Sequence, residues 1–85
     1  MDEINPRLGK AILEVVETQL RNNTPPETKE TYNRLILSGY PDTEARRLIG
    51  LVVVTEIFDV LKRKQEYNEK RFIAMLNKLP AMPWE

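Results

Sequence analysis

Glu56 is the residue best placed to do chemistry in this chain, because helical spacing puts it among Ala45, Ile49, Val52 and Val60 on an apolar face, with Asp59 one turn further on. A carboxylate taken out of water has to be paired, hydrogen-bonded or protonated. Three chemistries fit: an acid–base group, a metal ligand, or a structural partner for an Arg or Tyr of a neighbouring helix. The structural reading is favoured, since buried ion-pair networks perturb acids as readily as active sites do. A di-iron or di-manganese bundle requires Glu-x-x-His motifs on two helices, and the chain has no histidine. The same absence removes the usual general base at neutral pH and the usual zinc ligand. With no cysteine either, there is no thiolate nucleophile, thiolate metal site or disulfide. No catalytic residue, metal or cofactor is assigned.

The remaining charges read as solvated or structural. Glu14 and Glu17 stand beside Lys10 and Arg21, the i, i+4 spacing of an exposed helix face. Arg46-Arg47, Lys62-Arg63-Lys64 and Lys70-Arg71 offer phosphate contacts, but the 62–64 run also falls where a long helix ends and complements its dipole. Thirteen basic and thirteen acidic residues cancel, which leaves no net field to draw in nucleic acid or an anionic membrane. The passage around Gly39-Tyr40-Pro41 has the outline of a helix-turn-helix, but the helix after it is too apolar to keep a face for base edges. Nucleic-acid binding therefore ranks third among the functions considered.

These side chains must be carried by helices. Asn5-Pro6 has the form of a cap followed by a first-turn proline, and Leu8, Ile12, Leu13, Val16 and Leu20 recur at three- and four-residue spacing to make one core-facing stripe over about 6–22. Thr24-Pro25-Pro26-Glu27 has the pattern of a capping box for a second helix over 25–38, closed by Gly39 with Tyr40 packing back. Asp42 is expected to cap a third helix over 43–64, whose apolar residues point in nearly every direction and which is therefore buried on several sides. Gly50 on it marks a close helix crossing. Asn68 caps a fourth helix over 69–79, with Phe72, Met75, Leu76 and Leu79 as its stripe, and 80–85 form an irregular tail.

The run from Leu35 to Ile49, with Ser38-Gly39-Tyr40-Pro41 at its centre, resembles the glycine–aromatic loop and following helix of ubiquitin-associated domains. In those domains the following helix is short, whereas here it continues to Lys64, so the loop is read as convergent and ubiquitin binding is not expected. More broadly the chain resembles bacterial families of small all-helical proteins of unassigned activity. It shares with them the opening Asn5-Pro6-Arg7-Leu8, Gln19-Leu20 near the end of the first helix, and an apolar third helix with an acidic residue at Glu56. Members of those families carry histidines where this chain has Gly9 and Leu13, so a metal role there does not carry over.

The sequence thus predicts one all-α domain over 1–85, a four-helix antiparallel bundle with a long central third helix. Its longest apolar run, Leu51 to Val54, is far too short to span a bilayer, and the acidic N-terminus lacks the form of a secretory signal, so the expected compartment is the cytoplasm and no membrane is involved. The leading function is a protein-interaction module that associates with a protein partner or with itself as a homodimer, with Leu51, Val54, Phe58 and Trp84 as candidate contacts. Trp84 fits equally an anchor in a partner and a lid on its own core. The alternative is a small ligand-binding protein or enzyme built on Glu56 and Asp59.

Overall fold

The computed structural model describes residues 6–82; Asn5 and Trp84, named above as a cap and a contact, lie outside the described residues. Four helices follow in order: α1 (Pro6–Asn22), α2 (Pro26–Leu37), α3 (Asp42–Arg63) and α4 (Glu69–Lys78). Among the described residues there is no strand.

Each helix end follows from local chemistry, with two departures from expectation. α1 stops where Asn23 takes a left-handed conformation and the Thr24 N–H donates to the Gln19 carbonyl, 3.2 Å. α2 closes in a Schellman turn: Gly39 has φ +101°, its N–H reaches the Ile36 carbonyl and the Tyr40 N–H reaches that of Leu35. Asn68 caps α4, its side chain accepting from the Arg71 N–H at 3.0 Å. The capping box at Thr24 does not form. A residue before proline is pushed out of the helical region, so Pro25, preceding Pro26, takes the extended conformation and becomes the cap itself, while the Thr24 hydroxyl donates to the Asn22 carbonyl. Asp42 is likewise not the cap of α3. Pro41 holds that position, and the Asp42 carboxylate is taken by the Tyr32 hydroxyl at 2.6 Å and by Arg46 Nε at 2.9 Å.

The core is the face of α3 formed by Ala45, Leu48, Ile49, Val52 and Val53, against Ile12 and Val16 of α1, Leu35 of α2, and Phe72, Met75 and Leu76 of α4 with Leu79 just beyond it. α3 is central in a specific sense: it touches all three other helices, α1 touches α2, and α2 touches α4, whereas α1 and α4 do not meet among the described residues. The three cover helices therefore wrap only part of the way around α3. Polar ties hold the wrap in place. Thr28 of α2, itself buried, donates to Gln19 of α1 at 2.9 Å. Arg34 of α2 donates to the Leu76 and Leu79 carbonyls at the end of α4, 2.9 and 2.6 Å, satisfying acceptors that a helix terminus otherwise leaves open. Glu17 of α1 pairs with Arg46 of α3, so one carboxylate of the expected solvated face is a link between helices.

At the α1–α3 crossing, a Cβ on Gly50 would lie 3.2 Å from Ile12 Cγ2. Glycine is used there for close approach, as its place in the pattern predicts. The expected single core stripe of α1 is divided: Ile12 and Val16 are buried, but Leu8 and Leu13 are about half exposed. The stripe is wider than the surface that α2 and α3 present to it.

Candidate functional site

Two places draw together the residues singled out from the sequence. The first is Glu56, only 3% exposed. Its carboxylate receives Arg71 Nε on one oxygen and Arg71 Nη2 on the other, both at 2.9 Å, and the second oxygen also accepts the Asn68 N–H at 3.0 Å. Such a two-pronged guanidinium–carboxylate contact is the strong form of an ion pair. The charged form of Glu56 is held below the usual carboxylate range by Arg71 first and the Asn68 amide second, against the opposing effect of burial. Asp59 adds a longer contact to the same guanidinium, 3.8 Å. Glu56 and Asp59 thus meet at Arg71, while Tyr32 stands elsewhere, bonded to Asp42 with the Arg46 guanidinium 5.6 Å from its ring centre. Glu56 thus ties α3 to Asn68 in the turn before α4 and to Arg71 in α4's first turn. Among the described residues no group of three or more His, Cys, Asp or Glu is gathered to hold a metal ion.

The second place is an open groove of about 740 Å³ between α1 and α3. Leu8, Gly9, Ile12 and Leu13 form one wall and Gly50, Leu51, Val54 and Phe58 the other, with Thr43 and Arg47 at one end. Three of the four contacts proposed from sequence, Leu51, Val54 and Phe58, therefore share one wall. Leu51 and Val54 are half-buried at its base, and Phe58 stands out with 59% of its surface exposed. Leu61, one turn on, is 68% exposed. This wall lies in the gap that α1 and α4 leave around α3. Arg47 at the groove's end is held by Glu44 one turn back, and this pair keeps the Glu44 carboxyl below the usual range.

Sequence reasoning missed the α1 wall and Arg47. The periodicity that places Leu8 and Leu13 on the core face reports that a face is apolar and not what covers it. The signal available was in α3: Leu51, Val54, Phe58 and Leu61 follow at spacings of three, four and three, the pattern of a seam between paired helices, offset from the Ala45–Leu48–Ile49–Val52 face that the core uses.

No helix among the described residues is long and apolar enough to cross a membrane. Compared with known protein families, curated proteins and solved structures, the chain matches none.

Proposed function

We propose that this chain is a protein-interaction module that self-associates through the α1–α3 groove. The observation that carries the reading is the groove's composition: apolar side chains from two helices form a continuous concave surface, and the half-exposed Leu8, Leu13 and Phe58 stand on its sides. A contiguous apolar groove rimmed by polar residues is a common form of interaction surface. Burying one such side chain contributes on the order of 1 kcal/mol for each half of its surface removed from water, and a pair of copies does so twice for each residue. Glu56 is left out of this reading because both carboxylate oxygens are already engaged by Arg71 and Asn68.

The test is the solution mass by light scattering across a dilution series, for the native chain and for Phe58→Ala. A mass that doubles with concentration, with the midpoint moved to at least about tenfold higher concentration in the variant, is the expected result. A monomer throughout the series refutes self-association.

A further inference from the structure

Resting on that self-association, we infer that two copies pair as an antiparallel, two-fold dimer in which α3 of each lies in the α1–α3 groove of the other and Phe58 of one stacks over Arg47 of its partner. The argument is geometric and electrostatic. The exposed stripe of α3 runs Arg47, Leu51, Val54, Phe58, Leu61, and a seam of this spacing packs antiparallel by setting each residue of one helix against one of the alternate type on the other. With the two-fold axis between Leu51 and Val54, Leu51 of each copy meets Val54 of the other. Phe58 then falls on Arg47 of the second copy, at the groove end that Leu13, Thr43 and Gly50 also line. A guanidinium facing an aromatic ring is a favourable contact, and Gly50 leaves that part of the groove floor without a side chain.

Charge selects this direction over the parallel one. α3 carries Asp42 and Glu44 in its first turn and Lys62 and Arg63 in its last. Glu44 and Lys62 are eighteen residues apart, which at 3.6 residues per turn is a whole number of turns, so they stand on the same flank of the stripe. About the proposed axis, Glu44 of each copy, bonded to its own Arg47, lies opposite Leu61 and beside Lys62 of the other, and the helix dipoles oppose. A parallel pair would instead bring acidic turn onto acidic turn and basic onto basic, with dipoles aligned. Glu44 and Lys62 are separated by about 27 Å along their own helix, so their attraction can be exerted only between copies.

A single-cysteine variant Lys64→Cys, at an exposed position just past the end of α3 that leaves Glu44 and Lys62 in place in a sequence with no native cysteine to interfere, carries a spin label for distance measurement in the dimer. The antiparallel arrangement gives a label separation of about 35 Å or more. A parallel arrangement gives less than about 20 Å, and that result overturns the inference while leaving self-association standing. Light scattering on the same labelled samples separates this outcome from failure to associate at all. A second test needs no label: Lys62→Glu weakens the dimer about tenfold, two pairs being reversed per dimer, Glu44→Lys weakens it further because it also sets a lysine beside its own Arg47, and the double variant associates more tightly than Glu44→Lys alone. A double variant as weak as the two changes combined also overturns the pairing.

Discussion

Glu56 shows how one buried residue is decided by its partners. Removing one member of a buried pair costs about 3–5 kcal/mol, and the low end applies here because Arg71 keeps a quarter of its side chain in water. Glu56→Gln is therefore expected to lose about 3 kcal/mol of stability at pH 7 by chemical denaturation while remaining helical by circular dichroism. The folded carboxyl titrates below its unfolded value, so its contribution is complete above the unfolded value of about 4.3 and disappears as pH falls through the lower folded one. The gap between native chain and variant should accordingly be widest near neutrality and close under acid conditions; an undiminished gap at pH 3 would rule out the ion pair as its source. The caps give a second contrast at this scale. Asn68→Ala is expected to cost about 1 kcal/mol, because its side chain accepts from a free helix N–H. Thr24→Ala should fall within about 0.5 kcal/mol of the native chain, as its hydroxyl reaches only an exposed carbonyl.

At the scale of elements, the α1–α3 crossing turns on Gly50. Alanine there gains about 1 kcal/mol of helix propensity but sets a Cβ tightly against Ile12 Cγ2. Ile12 borders the open groove and has room to yield by a few tenths of an ångström. Gly50→Ala is thus expected to lie within about 1 kcal/mol of the native chain in thermal or denaturant unfolding. Gly50→Leu forces the helices apart and should cost about 3 kcal/mol, and a tolerated leucine would mean that the close approach is unimportant. The same crossing explains why α1 looked fully core-facing. Five apolar residues at helical spacing cover a wider arc than one close contact with α3 and a short one with α2 can bury, and the surplus, Leu8 and Leu13, becomes a groove wall.

At the scale of the molecule, 85 residues bury only somewhat more than about 60% of the unfolded chain's surface, so an interface adds visibly to a thin stability. Association that favours the folded state makes unfolding concentration-dependent. The melting temperature is expected to rise over a hundredfold increase in protein concentration for the native chain and, for Phe58→Ala, to begin rising only at about tenfold higher concentration, as followed by circular dichroism. Equal behaviour of the two would detach the groove from association.

Read alone, the sequence placed the four helices, their order and the stop at Gly39, because these depend on interactions within a few residues. It also identified Glu56 as buried, Gly50 as a crossing and Asn68 as a cap. It misassigned Thr24 and Asp42 as caps, since consecutive prolines moved one start by a residue and Tyr32, ten residues away, claimed the other carboxylate. Long-range packing made Arg71 the partner of Glu56, set Arg34 to close the end of α4, and left part of α3 uncovered between α1 and α4. Periodicity fixes which face of a helix is apolar; how far its neighbours wrap around that face depends on contacts between residues far apart in the chain.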